Sequence, residues 1–227
     1  ELDQKINDRG VLIDLDMAKN AISIDTEQTE RLTKEYRDIT GLENPNSLTD
    51  LKKFIKNKTG KVVKSITKQN LKELKEKLKE YDDVVIALEI RERLSKSSIA
   101  KYKKMIDVAC SDGRARGLLQ FYGASTGRWA GRLIQVQNLP QNHIKDLDIA
   151  REIVKNGDLD LLEIMYDNPS DILSQCIRPA IIPSPGCKFA VADFSAIEAR
   201  VIAWLAGEQW RLDVFNSHGK IYEASAS

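Results

Sequence analysis

The chain has 227 residues, 42% of them hydrophobic, so it holds enough apolar material for a packed core and reads as globular rather than as a disordered tail. Charged residues reach 30% while the formal net charge is only +1, so the total says nothing about nucleic acid or membrane until it is mapped along the chain. No apolar run approaches the roughly 20 residues of a membrane span and no signal peptide precedes the first helices, while Cys110, Cys176 and Cys187 lack metal-ligand spacing and fit a reducing, cytoplasmic compartment without a zinc site.

Residues 11–110 read as helices with short loops. "DLDMAKNAISIDTEQTERLTKEYRDITG" predicts a helix from about Asp16 to Ile39 that Gly41 ends. Ser47 caps a second, "LTDLKKFIKNKTG"; Thr67 caps a third, "KQNLKELKEKLKEY"; a longer fourth runs from about Asp82 to Val108. Charge separates along this stretch. Segment 51–80 holds eleven Lys against three Glu, segment 91–104 six Lys or Arg against one Glu, and 146–171 eight acids against two basic residues. The near-neutral total therefore hides a dipolar chain. Leu71, Leu74 and Leu78 stand at core spacing, whereas Lys72, Lys75 and Lys79 between them suit either a solvated face or a sequence-independent grip on phosphates.

From Cys110 the texture changes to "CSDGRARGLLQFYGASTGRWAGRLIQVQNLPQNH", whose glycines at 113, 117, 123, 127 and 131 favour short strands and turns. An acidic helical stretch follows at 146–166, then Pro169-Ser170-Asp171 caps the short helix "ILSQCIR". In "GCKFAVADFSAIEARVIAWLAG" the pattern predicts a strand from about Lys188 to Asp193 running into a helix from about Ala196 to Ala206, closed by Gly207. The opening on Glu1 rather than Met, and an end in "KIYEASAS" without a closing Gly or Pro, suggest a piece of something longer.

A carboxylate ending a buried strand is a usual holder of a divalent metal, and Mg²⁺ takes one or two carboxylates plus water and substrate phosphates. Asp193 fits that description; its ordinary alternative is to cap the next helix, and Glu198 in that helix's first turns would simply complement the dipole.

Four stretches in order resemble the family A DNA polymerases of the bacterial DNA polymerase I type. "DFSAIEARVIAWLAG" is similar to the family's first acidic motif, "STGRWAGRLIQVQNLP" to its Thr-Gly-Arg segment ending in Gln-Asn-Ile/Leu-Pro, and "CIRPAIIPSPGCKF" to the lead into the motif strand; "WRLDVFNSHGKIYEASAS" looks like the entry to the fingers, with Tyr222 where a His is usual. More weakly, "INDRGVLIDLDMAKN" resembles the entry to the polymerase domain, and "NPNSLTDLKKFI" and "LEIRERLSKSSIAKY" its thumb helices. The long spacer at 141–170 and the wording "GRWAGRLIQ" look most like phage or prophage members.

The resemblance implies an α+β, mostly helical fold, with a helical thumb over 1–110 and a partial palm over 111–227 that carries the first catalytic motif. It implies nucleotidyl transfer from a dNTP to a primer 3′-hydroxyl. Asp193 and the carbonyl of Phe194 would bind Mg²⁺ in a two-metal site, and Glu198 would wall the sugar and exclude a 2′-hydroxyl. Arg128, with Thr126 in the same segment, would reach the minor groove at the primer terminus; Gln137 and Asn138 would hold primer and template atoms; Lys96 and Lys101 would grip duplex phosphates. The partners implied are primer-template DNA, a dNTP and the C-terminal remainder of the polymerase, with no membrane, in the cytoplasm of a bacterium or phage-infected host. The fingers helix and the later His-Asp-Glu turn with the second catalytic aspartate do not occur in this sequence, which implies inactivity alone. Two other classes compete: a non-catalytic module that holds primer-template DNA, and a helical interaction protein, against which the Thr-Gly-Arg and Asp-Phe-Ser stretches argue.

Overall fold

A computed structural model describes residues 1–67, 69–95 and 99–226. Helix α1 (Leu2–Arg9) and strand β1 (Val11–Ile13) lead into α2 (Leu15–Thr40), α3 (Leu48–Thr59), α4 (Leu71–Lys77), α5 (Asp82–Leu94) and α6 (Ile99–Val108). Next come β2 (Arg114–Ala115), β3 (Leu119–Gln120), β4 (Ala130–Gly131), α7 (Leu147–Asn156), α8 (Leu159–Met165), α9 (Pro169–Gln175) and β5 (Ile181–Ile182), and last α10 (Ile197–Ala206), α11 (Gln209–Ser217) and α12 (Ile221–Ala226). The fold is α+β and mostly helical. Two compact units divide it, Glu1–Pro185 and Gly186–Ser227.

The spine of the first unit is α2. Asp14 starts it by accepting the Met17 N–H at 3.1 Å, and Gly41 ends it in the left-handed conformation with its N–H on the Arg37 carbonyl. Its stripe of Met17, Ala21, Ile24, Gln28, Leu32 and Tyr36 recurs at helical spacing and is buried throughout. The first half of that stripe enters a core with Tyr102 and Met105 of α6, Ala115, Ile134, and the inward faces of α7, α8 and α9. Leu32 and Tyr36 enter a second core with α3, α4 and α5, built on Leu51, Ile55, Val84 and Leu88. Each such side chain contributes about 1.5–3 kcal/mol on burial. Because α6 packs in the first core, the texture change near Cys110 does not coincide with a break between cores.

Asp14 also joins α2 to α7. Its buried carboxylate sits 3.3 Å from Arg151 and 3.6 Å from Lys155, while its N–H donates to the Ala180 carbonyl. Strand β1 is the centre of a three-stranded antiparallel sheet, pairing Leu12 with Arg114 of β2 on one side and with Ile182 of β5 on the other. Strands β3 and β4 pair separately, Leu119 against Gly131.

Several local expectations need correction. The third helix starts after Asn70, whose Oδ1 accepts the Thr67 N–H, so Thr67 is a turn donor rather than the cap. The long fourth helix is two: α5 ends at Leu94 and α6 begins at Ile99, and the residues between them at 96–98 lie outside those described. The acidic stretch breaks at Gly157, whose φ of 74° ends α7, and Asp158 caps α8 through the Leu161 N–H. Asn168, with Pro169 at the first helical position, caps α9.

The largest departure is at 188–193, where the expected strand is absent. A strand needs a neighbour to take its N–H and C=O groups, and no described strand runs beside this segment. Val191 is 92% exposed rather than buried, so Asp193 ends an open coil. The helix that follows matches the expectation, α10 ending at Gly207 with φ 67°.

Candidate functional site

In the second unit, Asp193 and Phe194 are exposed and lie just ahead of α10, with Glu198 exposed in that helix's first turn. Ala196 occupies the N-cap position with φ 51° and offers no side-chain acceptor, a left-handed backbone that a non-glycine residue adopts at a cost of about 1–2 kcal/mol. Arg200 ties the turn to the helix: its Nε donates to the Ser195 carbonyl at 2.8 Å and its guanidinium lies 4.5 Å from the centre of the Phe215 ring. The site is thus an open carboxylate on a coil, followed by a tight turn held from one side. Among the described residues no group of three His, Cys, Asp or Glu side chains converges as a metal cage. One carboxylate and one adjacent carbonyl are hard oxygen donors that suit Mg²⁺, which keeps water and phosphate ligands for itself.

The remaining candidate residues lie in the first unit. Thr126 and Arg128 sit in the connection between β3 and β4, closed by the Ala124 N–H on the Arg128 carbonyl at 3.1 Å and the Gly127 N–H on the Ala124 carbonyl at 3.0 Å. Gly127 has φ 79°, a left-handed backbone that favours glycine in the Thr-Gly-Arg turn, and it lies under the exposed Tyr122 ring. Beside it, Phe121 and Trp129 meet edge to face at 5.3 Å.

Residues Val136–Asn138 form a 3-10 turn that returns to this hairpin, and the amide of Gln137 lies where a side chain on Gly131 would stand. Asn138 Nδ2 donates to Gln135 Oε1 at 3.2 Å. Lys101, on α6, donates to the Ile134 carbonyl at 2.9 Å, so it clamps the turn. Thr126, Arg128, Gln137, Asn138 and Lys101 therefore belong to one local assembly, whereas Asp193, Phe194 and Glu198 belong to the other unit. Lys96 lies outside the described residues.

A residue that received no role in the sequence reading is Arg178, which donates to the Pro140 and Leu139 carbonyls, both at 2.7 Å, and so fixes the end of the Gln-Asn-Leu-Pro segment. Its signal was the Ile-Arg of "CIRPAIIP". Leu133 and Gln135 add two left-handed non-glycine residues at φ 55° and 56°, a concentration of backbone strain in the same turn.

The lysine-rich helices are largely self-paired. Lys58 meets Asp83 at 2.8 Å, Lys75 meets Glu92 at 3.1 Å, Lys77 meets Glu73 at 2.6 Å and Lys79 meets Glu76 at 3.0 Å. Exposed pairs of this kind stabilise by at most about 1 kcal/mol and exchange readily for other anions. Lys56, Lys64 and Lys72 have no ion-pair partner among the described residues.

These motifs, in this order along a helical α+β scaffold, fit one class of protein. The chain belongs to DNA polymerase family A, matching the family over residues 16–227. It is 55% identical over its whole length to the DNA polymerase of Bacillus phage SP02, of which it covers 35%. The chain thus spans about a third of that relative's length. No solved structure gives a significant match. No described helix is long and apolar enough to cross a membrane.

Proposed function

We propose that this chain is the thumb (1–110) and first part of the palm (111–227) of a template-directed DNA polymerase, transferring a nucleotide from a dNTP to a primer 3′-hydroxyl in the cytoplasm of a bacterium or a phage-infected host. The observation that carries the reading is the family match through residue 227, which takes in an exposed Asp193 immediately before a helix bearing Glu198 in its first turn. Asp193 and the Phe194 carbonyl would hold Mg²⁺, which when bound supplies charge stabilisation to the phosphates and lowers the pKa of the attacking hydroxyl.

The chain's own groups do the rest. Glu198 walls the sugar of the incoming nucleotide and leaves no room for a 2′-hydroxyl. Arg128, presented by the tight Thr-Gly-Arg turn, reads minor-groove acceptors common to every base pair and so checks shape at the primer terminus. Gln137 and Asn138 contact primer and template next to it, on the turn that Lys101 and Arg178 hold in place. The basic helices meet duplex phosphates without reading sequence. Primer-template DNA, a dNTP and the C-terminal remainder of the polymerase are the partners of this reading.

The lysine-rich segment 51–80, which can meet phosphates without any carboxylate chemistry, supports a second reading, a module that holds primer-template DNA without chemistry. One experiment separates the two: primer extension by a full-length polymerase carrying this stretch. Asp193→Asn should lower extension on the order of 1,000-fold or more with duplex binding nearly unchanged, as expected of a group used only in the transition state. Glu198→Ala should keep part of the activity and admit ribonucleotides. The 227-residue chain alone should extend nothing. Wild-type-like extension by Asp193→Asn would sink the catalytic reading and leave the binding module.

A further inference from the structure

Helix α8, "LDLLEIM", is apolar on two sides. Leu159 and Leu162 are buried and seat it in the first core, while Leu161, Ile164 and Met165, three and four positions apart, share its outward side and are exposed, Ile164 by 80%. The adjoining α7 shows an ordinary solvated face, with Asp148, Glu152 and Asn156 in line and all exposed. A single exposed leucine needs no explanation, but three apolar side chains in one line on a helix already packed by its other side form a patch that asks for cover.

The surroundings of the patch are acidic. Residues 158–167 hold four acids, Asp158, Asp160, Glu163 and Asp167, and no basic residue. Arg31 of α2 reaches Asp160 at 2.7 Å and Glu163 at 3.1 Å through the same Nη1, and both carboxylates remain exposed beside the apolar line. This charge decides the occupant. It repels duplex phosphates and anionic lipid alike, which leaves a protein. A stripe at helical spacing with acidic edges is matched by a second helix that carries its own apolar stripe with Lys or Arg beside it, since opposite charges flank the seam between two packed helices.

We propose that the outward side of α8 docks an amphipathic helix with basic flanks, supplied by a partner protein. Leu161, Ile164 and Met165 meet the apolar stripe of that helix, and Asp160 and Glu163 meet its cations. At seven residues α8 is about 10 Å long, so the contact spans about two turns and anchors the partner rather than enclosing it. The proposal goes beyond the DNA-synthesis reading and uses none of its residues: the basic helices stay with the duplex, and the acidic stretch, which a duplex avoids, takes the protein.

The test is fluorescence anisotropy with a labelled helical peptide of leucine and lysine whose leucines lie on one face. The control peptide has the same residues with the leucines spread round the helix, so its charge is unchanged. Both are titrated with the 227-residue chain and with a full-length polymerase carrying this stretch. Each protein should bind the striped peptide about tenfold or more tightly than the control, and Ile164→Ser should lose about as much, as for a central apolar anchor. Asp160→Asn should weaken binding less and reduce its salt dependence. Duplex affinity should be the same in Ile164→Ser as in the wild type, which separates this face from the basic helices. Ile164 is exposed enough for Ile164→Ser to fold, which an unchanged melting temperature checks; if it melts lower, Met165→Ser carries the same comparison. Equal binding of the two peptides, or no effect of either serine variant, would overturn the proposal. So would binding by the 227-residue chain that the full-length polymerase lacks, which would give the face to the remainder of the polymerase, and so would self-association in sedimentation that Ile164→Ser abolishes, which would give it to a second copy.

Discussion

In Glu1–Pro185 one helix, α2, carries a continuous buried stripe into two cores, which between them cover the inward apolar faces of α3, α5, α6, α7 and α9. In Gly186–Ser227, among the described residues, only Ala203, Phe215 and Ile221 are buried, while Phe189, Val191, Phe194, Ile202, Trp204 and Leu205 are all more than half exposed. In both units some helices form where capping and glycine signals put them, α3 after Ser47 and α10 up to Gly207 among them. The difference shows that a helix pairs its own backbone groups, whereas an extended segment needs a neighbour to do so: α10 closes its N–H and C=O groups internally and packs Arg200 on the Phe215 ring of α11, and 188–193 stays open.

The largest expected effect divides the units by task. If the basic helices of the first unit grip phosphates, binding of this chain to duplex DNA should fall on the order of 100-fold or more between roughly 50 and 200 mM salt, with little sequence preference. Anisotropy at the two salt concentrations reads it, and salt-independent affinity would count against the grip. The self-paired lysines are no obstacle, because their partners are exposed acids.

A smaller effect sharpens the packing contrast. Leu88→Ala and Leu162→Ala, each emptying a fully buried site in one of the first unit's two cores, should each cost about 2–5 kcal/mol. Ile202→Ala, on a residue 61% exposed, should stay within about 0.5 kcal/mol. Chemical denaturation of the three variants makes the comparison, and an Ile202→Ala cost as large as the core deletions would show that the second unit's apolar face is covered.

Thiol reactivity gives a finer probe. Cys110 and Cys187 are exposed, one in each unit, whereas Cys176 is buried in the first core and burial pushes its thiol up to about 12 from the ordinary 9.0. Iodoacetamide near pH 8 should modify the first two in the native chain and all three on unfolding. The raised value means that the neutral thiol's contribution to stability is complete below pH 9.0 and is lost as pH rises through about 12.

The smallest effect lies at the entry to the turn-rich segment. The Arg116 fork, with bonds of 2.6 and 2.9 Å, holds the Asp112 carboxyl well below its ordinary value of 3.8. Stability from this pair is therefore present above the ordinary value and lost as pH falls through the lowered one. Asp112→Asn should remove a slight part of the acid-side loss in thermal unfolding, the pair being solvent-exposed.

The candidate motifs were legible because each is a short contiguous stretch of sequence. Ser47, Gly41, Gly60 and Gly207 end or start helices where expected, and the glycines of the Thr-Gly-Arg stretch mark turns. What the string could not show is what each segment meets. Lys101, chosen for its charge, lies against the Ile134 carbonyl, and Arg178, given no role, holds two carbonyls of the Gln-Asn-Leu-Pro segment.

Strand β1 makes the same point from the other side. The apolar triplet Val11–Ile13 becomes a strand because residues 114–115 and 181–182 flank it, partners about a hundred and a hundred and seventy positions away. Residues 188–193, with a better strand pattern, lack such a neighbour and remain coil. The amino-acid order by itself determined where many helices lie, the caps at Ser47, Gly41 and Gly207, and the motif residues, since those depend on hydrogen bonds within four positions and on the identity of single side chains. Only the tertiary structure decided which extended segments became strands, which cations were spent on carbonyls and which apolar faces were covered, because each of these is settled by a partner distant in sequence.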